Sequence, residues 1–364
     1  MFAEGAARLD FEVVLATDRC HVLDNPWGDH AIPIRFDAPE QAVAAVAEHL
    51  PIDGIVALGD RPAWAAAHLG LPYNSITSVT ACGNKHLARK CFKQAGLLVP
   101  DFFIAAPGSR FEATYPCVLK PLGLSASRGV IRANTPAEFA TAFERIQAIQ
   151  KGAIQVERFI PGREFALEGL VTDGRLTVLA LFDKPDPLDG PFFEETIYVT
   201  PSREAAATQQ AIFETTARAV RALGLTQGPV HAEMRVNPEG VWMLEVAARP
   251  IGGLCARVLP GLPELILKHA VDPKTPPVLD AFGASGVMMI PIPRAGVYRG
   301  VSGISGDTVI TAKEGQELIP LPEGSSYLGF IFAHGGTAAE VEQELRRIHS
   351  GLSFEISTAL PVLT

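Results

Sequence analysis

Residues 230–247 read VHAEMRVNPEGVWMLEVA, two apolar segments joined by a short polar turn. A three-residue hairpin loop contains a type I turn followed by a residue in the left-handed region, and the sequence Pro-Glu-Gly at 238–240 fits this requirement. Such a loop pairs Asn237 with Val241. The segment therefore predicts an antiparallel β-hairpin whose register is set by its turn.

This register divides the hairpin into two faces. One face is wholly apolar and holds Ala232, Met234, Val236, Trp242, Leu244 and Val246. The other face holds His231, Glu233, Arg235, Val241, Met243 and Glu245. A two-residue loop would move Glu245 to the apolar face, so the pattern favours the three-residue loop.

Glu233 and Glu245 lie directly opposite each other in this register. Two carboxylates in this position repel each other unless a cation compensates for them. One solution is a divalent cation with oxygen ligands, such as Mg²⁺ bridging to nucleotide phosphates. The other solution is a solvated polar face on which Arg235 neutralises one glutamate. The hairpin alone leaves both interpretations open.

A second motif lies upstream, where the strand-like sequence YPCVLKP (115–121) carries Lys120 near its end and is followed by LGLSASRG (122–129). A loop rich in glycine and serine can direct backbone N–H groups at an anion. This loop is neither a Walker A loop nor a nucleophile elbow. By itself the motif favours an ordinary surface hairpin loop over an anion-binding loop.

Two further segments carry polar residues in suggestive places. The sequence QVERFIPGRE (155–164) predicts a strand, a turn and a second strand, which either hold a flat aromatic base through main-chain hydrogen bonds or are simply buried. Arg249 follows Glu245 by four residues. An arginine there can hold a carboxylate or a developing phosphate by paired hydrogen bonds, or form a salt bridge with a neighbouring glutamate.

The composition excludes several classes of protein. A net charge of −9 argues against a nucleic-acid-binding protein, and no apolar run is long enough for a membrane helix. Five cysteines without a Cys-x-x-Cys pair predict reduced thiols and a cytoplasmic protein. The first residues lack the basic and apolar segments of a signal peptide.

The 364 residues predict about two or three domains with a mixed α/β and α+β organisation. Predicted strands at 11–16 and 52–58 flank a predicted helix at 39–50, which is typical of a doubly wound unit. A helical fragment at 2–9 precedes the first strand, so either this unit lacks its usual opening strand or the true start lies upstream, and the second alternative is the expectation. The predicted domains are 1–78, 79–272 with a lid subdomain at about 100–160, and 273–364.

Several of these pieces, taken in order, resemble the ATP-grasp superfamily. They are Asn84-Lys85, VLKP (118–121), GLSASRG (123–129), VERFIPGREF (156–165) and the hairpin continuing to ARPIGG (231–253). The first domain looks like the N-terminal nucleotide-fold domain of that superfamily, possibly truncated. The last domain looks like the extra C-terminal domain of its L-amino acid ligase branch.

The resemblance implies an ATP- and Mg²⁺-dependent ligase, with Mn²⁺ as an alternative metal, that joins a carboxylate to an amine through an acyl phosphate. It implies phosphate contacts from Lys85 and Lys120 and a mobile lid containing Ser125, Ser127 and Gly129. It also implies adenine and ribose contacts from Glu157, Arg158, Phe159, Ile160 and Glu164.

By the same resemblance, Glu233 and Glu245 bind the metal, and Arg249 holds the substrate carboxylate or the acyl phosphate. Together with Arg249 and Lys120, His231 is implied as a catalytic residue on the substrate side, where Glu195 is also expected. The expected partners are a small carboxylate and a small amine, with a homodimer as a further expectation. The composition predicts neither a nucleic acid nor a membrane as a partner. A purine-pathway ATP-grasp ligase and a non-catalytic ATP-binding module are the alternatives.

Overall fold

The computed structural model describes residues 1–18, 31–36, 38–69, 71, 73–109, 112–280 and 283–358. The N-terminal region contains α1 (Phe2–Arg8), β1 (Leu15–Thr17), β2 (Ala31–Pro33), α2 (Pro39–Ala47), α3 (Asp60–Ala67) and α4 (Ile76–Cys82). The strands β1 and β2 pair in parallel, as expected for a doubly wound unit. The predicted helices at 2–9 and 39–50 are confirmed except for their last residues.

The predicted strand at 52–58 is wrong, since the structure describes all of these residues and assigns none of them to a strand. Gly54 instead passes so close to a later helix that an added Cβ would lie 2.5 Å from the Ala270 carbonyl oxygen. A short apolar run fits a buried strand and a buried coil equally well, so packing decides between them.

The next region folds into a small sheet with one covering helix. Its elements are α5 (Lys85–Gln94), β3 (Phe102–Ala105), β4 (Cys117–Pro121), β5 (Ile131–Ala133), α6 (Pro136–Ile149) and β6 (Ile154–Arg158). Among the described residues, four antiparallel strands join in the order β3-β6-β4-β5. Asn84 caps α5 and separates it from α4, since its side chain accepts hydrogen bonds from the backbone N–H groups of His86 and Leu87.

A larger sheet follows and continues into the C-terminal region. Its first elements are β7 (Arg163–Thr172), β8 (Arg175–Lys184), β9 (Ile197–Thr200), α7 (Ala206–Ala222), β10 (Gln227–Asn237) and β11 (Gly240–Ala247). The remaining elements are α8 (Leu262–Val271), β12 (Ala284–Ile290), β13 (Gly296–Ser302), β14 (Asp307–Ile310), β15 (Glu317–Leu318), β16 (Gly329–Gly335), α9 (Ala338–Ser350) and β17 (Ser353–Ser357).

Within the described residues, eight strands of this sheet lie in the order β11-β10-β7-β8-β9-β12-β16-β14. The predicted boundary between 272 and 273 therefore falls between strands of one sheet. Phe165 and Leu167 on β7 pack in a core that contains residues of α5 and α7. Ala166 belongs to the core on the opposite face, beside residues of α8. The strand β7 is thus buried on both faces.

The hairpin prediction is right in its central pair and wrong in its turn. Asn237 pairs with Gly240 rather than Val241, so the loop has two residues. A β-bulge between Glu233 and Met234 then shifts the register and brings Glu233 opposite Glu245. The extra residue on β11 restores the predicted carboxylate pair that a two-residue loop would otherwise have separated.

Between the two-residue turn and the bulge, the residues of β11 lie on the faces opposite to those predicted. Val241 and Met243 pack in the apolar core with Ala232 and Met234, although the sequence placed them on the carboxylate face. Trp242 and Leu244, predicted to be apolar-face residues, lie on the other side: Arg158 stacks on the Trp242 ring at 5.1 Å and Leu244 lines the cavity described below. Only the positions beyond the bulge follow the predicted alternation.

The structure can be compared with two predictions made from the composition, the reduced cysteines and the lack of a membrane helix. Cys82, Cys91, Cys117 and Cys255 are free thiols, whereas Cys20 lies outside the described residues. Within the described part of the chain, no helix combines the length and apolar composition needed to cross a membrane.

Candidate active site

A cavity of about 810 Å³ lies between the small sheet and the large sheet. The small sheet contributes residues of β4 and β6, and the large sheet contributes residues of β7, β10 and β11. The site residues predicted from the sequence that line it are Lys85, Lys120, Ser125, Ser127, Glu157, Arg158, Phe159, Ile160, Glu164, Glu195, His231, Glu233, Glu245 and Arg249. The folding of two sheets against each other thus gathers residues far apart in sequence.

Gly129 is the exception among the predicted lid residues. Its N–H donates a 2.8 Å hydrogen bond to the Pro322 carbonyl oxygen, so in this conformation the amide is not directed at an anion. Ser125 and Ser127 do line the cavity. Ser127 has a φ of +54°, a left-handed conformation that favours glycine. The lid loop therefore contains backbone strain at its tip.

A buried carboxylate organises the end of the cavity formed by the small sheet. Glu157 on β6 accepts hydrogen bonds from Arg89 Nε at 2.7 Å and Gln155 Nε2 at 2.7 Å, and lies 2.6 Å from Lys120 Nζ. Burial opposes its ionisation, but Arg89 and Lys120 outweigh burial and lower the pKa of Glu157 to about 2. Two cations therefore surround one carboxylate, leaving excess positive charge for an anion.

Lys85 connects three parts of the structure at this end. It occupies the first turn of α5, and its ammonium donates to the Leu124 carbonyl oxygen in the lid loop. The same Nζ lies 3.9 Å from Glu245 Oε2 on the hairpin. Lys85 and Lys120 therefore place two ammonium groups on the same cavity, and their contact with phosphates stays a prediction.

The opposite arrangement occurs on the large sheet, where Lys184 lies among three carboxylates. Its Nζ is 3.1 Å from Glu164 Oε1, 2.6 Å from Glu195 Oε1 and 2.9 Å from Glu233 Oε1. The Lys184 side chain is only 2% exposed. Burial lowers its pKa, but the three carboxylates outweigh burial and hold the pKa well above the ordinary value.

The register of β7 against β10 builds this cluster. His231 pairs with Glu168, Glu233 with Ala166, and Arg235 with Glu164. Opposite charges therefore face each other at two positions, and the small Ala166 leaves room beside Glu233. Arg235 Nε donates a 2.8 Å hydrogen bond to Glu164 Oε2. The interpretation in which Arg235 neutralises one glutamate of the hairpin pair is therefore wrong, because Arg235 is buried and pairs with Glu164 rather than with Glu233 or Glu245.

His231 lies between two carboxylates. Its Nδ1 is paired with Glu168, and its Nε2 is 3.3 Å from Glu233 Oε1. Burial lowers the His231 pKa, but Glu168 and Glu233 together raise it to about 9. The imidazole is therefore protonated at neutral pH and acts as a cation beside Glu233.

Three carboxylates of the cluster suit a divalent cation. One oxygen of each of Glu164, Glu195 and Glu233 lies within 4.8 Å of the others. Burial and the neighbouring Glu233 raise the pKa of Glu195 to about 7, against the opposing effect of Lys184. Oxygen ligands crowded in this way are the donor set that Mg²⁺ accepts. The three carboxylates therefore fit a bound Mg²⁺ if the Lys184 ammonium, which lies within 3.1 Å of one oxygen of each, moves aside.

Of the two predicted metal ligands, Glu233 and Glu245, only one belongs to this cluster of three carboxylates. Glu233 belongs to it, whereas Glu245 lies directly opposite Glu233 on β11 and faces Lys85. Both line the cavity, so the assignment of this pair to a metal stays a prediction. The sequence analysis assigned Glu164 to the ribose, and the structure adds Glu164 and Glu195 to the carboxylates beside Glu233.

Arg249 brings the N-terminal region to the site. Its Nε donates to Asp60 Oδ1 at 3.1 Å, and its Nη1 donates to the Pro250 carbonyl oxygen at 3.1 Å. Glu168 fixes the same loop by accepting a 3.1 Å hydrogen bond from the Ile251 N–H. Asp60 is the first residue of α3, so three regions of the chain meet at Arg249.

Several site residues were missed by sequence reasoning. Arg89, Asp60, Glu168 and Lys184 received no role. Two signals were available: Lys184 ends an apolar strand as Lys120 does, and Glu168 follows Glu164 by four residues on the same strand face. Arg89 and Asp60 gave no such signal, since their partners are distant in sequence.

Comparison with known proteins agrees with this geometry. Residues 113–258 match the ATP-grasp domain family. The ATP-grasp enzyme fsqD of Aspergillus fumigatus is 24% identical over 304 residues, covering 69% of this chain and 53% of that protein. The D-alanine–D-alanine ligase of Desulfotalea psychrophila is 31% identical over 114 residues, covering 29% of this chain and 35% of that protein.

The structural comparison extends over nearly the whole chain. The L-amino acid ligase from Bacillus licheniformis superposes with a TM-score of 0.82 at 28% identity, covering 98% of this chain and 95% of that one. By contrast, the chain spans about half the length of fsqD and about a third of the D-alanine–D-alanine ligase. The comparisons therefore support the fold along nearly the whole chain, whereas the sequence matches to relatives of known activity cover only part of those proteins.

Proposed function

From the premise that this chain belongs to the ATP-grasp superfamily, with its ATP-grasp domain at residues 113–258, we propose that it is an ATP- and Mg²⁺-dependent ligase. The reaction we propose joins a carboxylate to an amine through an acyl phosphate and releases ADP and phosphate. Amino acids are the proposed substrates, which is supported by the likeness to an L-amino acid ligase.

One observation carries the proposal: a single cavity has an excess of cations at one end and of carboxylates at the other. Lys120 and Arg89 surround Glu157, while Glu195 and Glu233 surround Lys184. Phosphoryl transfer requires positioning and neutralisation of charge rather than a protein nucleophile. This arrangement suits a nucleotide that enters with its phosphates toward the lysines and its terminal phosphate toward the carboxylates.

We assign the nucleotide contacts as follows. Lys85, Lys120 and the lid serines bind the phosphates, and the end of β6 with the two residues that follow it, Glu157–Ile160, lies along the adenine. Glu157 also positions Lys120, since the two groups are 2.6 Å apart. Glu164 is the proposed ribose ligand, on the same strand face as Glu168. Closure of the lid excludes water, which would otherwise hydrolyse the acyl phosphate.

Glu233 and Glu245 would hold Mg²⁺, with Glu164 and Glu195 close enough to share it. When bound, Mg²⁺ or Mn²⁺ would neutralise the phosphate oxygens brought together during transfer. Protonated His231 stabilises the Glu233 carboxylate beside it and is not available as a general base at neutral pH.

Arg249 receives the substrate carboxylate. Its Nη2 has no partner among the described residues, and its Nε is held by a single contact with Asp60. A carboxylate that replaces Asp60 could therefore form two parallel hydrogen bonds with the guanidinium. The incoming amine then attacks the carbonyl carbon of the acyl phosphate, and phosphate leaves.

The test is phosphate release from ATP and Mg²⁺ by the purified chain, screened over single amino acids and all their pairs. Release that depends on a particular pair, with a condensed product in the mass spectrum, is the expected result. Absence of release with every pair, although ATP binds, would favour the non-catalytic binding module. Release that needs a substrate bearing a ribose phosphate would favour a purine-pathway type of ligase.

A further inference from the structure

The cavity extends past the carboxylates to a wall formed by the C-terminal region. The residues of this wall are Met289, Thr311, Gln316, Ser325, Tyr327 and Phe330. All are uncharged, in contrast to the lysines, arginines and carboxylates that line the rest of the cavity. A phosphate-bearing substrate would require cations that this wall does not provide among its described residues.

An aromatic pair forms the apolar part of this wall. The ring centroids of Tyr327 and Phe330 are 6.2 Å apart, an arrangement in which two rings stabilise each other. Leu254 and Tyr327 both pack against the buried cluster that contains Phe330. Tyr327, Phe330 and Leu254 thus give this uncharged wall a preformed apolar patch.

The aromatic pair also lies beside the loop that carries Arg249. Gly253 in that loop approaches Phe330 so closely that an added Cβ would lie 3.1 Å from Phe330 Cζ. Gly253 has a φ of +62°, which a side chain rarely adopts. A small residue here brings the Arg249 loop and the Phe330 ring together in one part of the cavity.

On the basis of the proposed function, we infer that Tyr327 and Phe330 form a specificity subsite for the substrate held at Arg249. That substrate is an α-amino acid with a branched aliphatic or aromatic side chain. Its carboxylate binds the Arg249 guanidinium, and its side chain packs on the two rings. The polar groups of the wall, such as Gln316 and Ser325, border the subsite without supplying a charge.

The subsite can be tested with a matched pair of substitutions on β16. Phe330 and Phe332 are both buried and their rings stack 6.3 Å apart, but only Phe330 lines the cavity. Phe330→Leu should change the ratio of kcat/KM for L-phenylalanine to that for L-alanine by about 10-fold or more, since one methylene alone changes such ratios by about 10- to 200-fold. Phe332→Leu should leave this ratio unchanged, and KM for ATP should be unchanged in both variants.

Equal ratios in the two variants would overturn the inference, as would a wild-type preference for charged or the smallest amino acids at this position. If no pair supports phosphate release, the proposed function fails, and the subsite is tested by thermal shift instead. L-Phenylalanine and L-leucine should then raise the Tm of the wild type and of Phe332→Leu but not of Phe330→Leu. No shift in any of the three proteins would overturn the subsite itself.

Discussion

Glu157, which lines the cavity, and Lys184, whose carboxylate partners line it, are both buried charges, but their surroundings are opposite. Glu157 is a carboxylate between two cations, Arg89 and Lys120. Lys184 is an ammonium among three carboxylates. Each buried charge is more than compensated by its neighbours, so each centre carries excess charge of the opposite sign. The difference shows how one cavity can attract phosphates at one end and a divalent cation at the other.

The largest expected effect comes from removing one carboxylate of the negative end. Glu245→Gln should reduce ATP turnover by about 100-fold or more while leaving the fold intact, because a neutral amide no longer neutralises a cation. Phosphate release with the preferred substrates measures the effect. Glu239→Gln, in the exposed turn of the same hairpin, is the matched control and should retain activity. Full turnover in Glu245→Gln would show that the assignment of this residue to the metal is wrong.

Removing Lys184 tests whether its three carboxylates need a cation. Lys184→Met should lower the free energy of unfolding by about 3–5 kcal/mol, the usual cost of leaving buried charges without their partner. Urea unfolding with and without Mg²⁺ measures this loss. We expect Mg²⁺ to stabilise the variant more than the wild type, since the ion can replace the ammonium. A variant as stable as the wild type without Mg²⁺ would contradict the description of this centre.

The dependence of stability on pH tests the description of Glu157. Its pKa falls from an ordinary value of 4.5 to about 2 in the folded protein. The stability that it contributes is therefore present above pH 4.5 and is lost as pH falls toward 2, by about 3 kcal/mol in total.

The measurement for Glu157 is the free energy of unfolding between pH 6 and pH 2.5, compared between the wild type and Glu157→Gln. The variant should be less stable at pH 6, because Arg89 and Lys120 lose their carboxylate, and should lose less stability as the pH falls. Parallel pH profiles would show that Glu157 is not the group that titrates in this window.

The smallest expected effect concerns how the two sheets are held together. Arg145 on α6 forms a two-point ion pair with Glu323 in the C-terminal region, with distances of 2.8 and 2.9 Å. Both side chains are about 40% exposed, so Arg145→Ala should change stability by less than about 1 kcal/mol. We expect a several-fold rise in KM for ATP with kcat nearly unchanged, because the small sheet closes less completely. An unchanged KM would show that this contact does not hold the cavity closed.

The candidate site was predictable where its residues follow one another along a strand. Glu233 and Glu245 could be placed opposite each other from the hairpin pattern, and Lys120 could be placed at a strand end. Even there, the turn length was wrong, and the pairing survived because a bulge compensated for it. A bulge depends on how both faces of a strand pack, which period-two patterns do not describe.

The sequence by itself determined the order of the motifs, the helices near 2–9 and 39–50 and the presence of the hairpin, because local propensity and side-chain alternation decide these features. Only the tertiary structure decided that Arg89 meets Glu157, that Asp60 meets Arg249 and that Lys184 lies among three carboxylates. Those contacts join residues on different elements. Their geometry follows from how two sheets and the N-terminal region pack, and buried charges find partners wherever that packing places them.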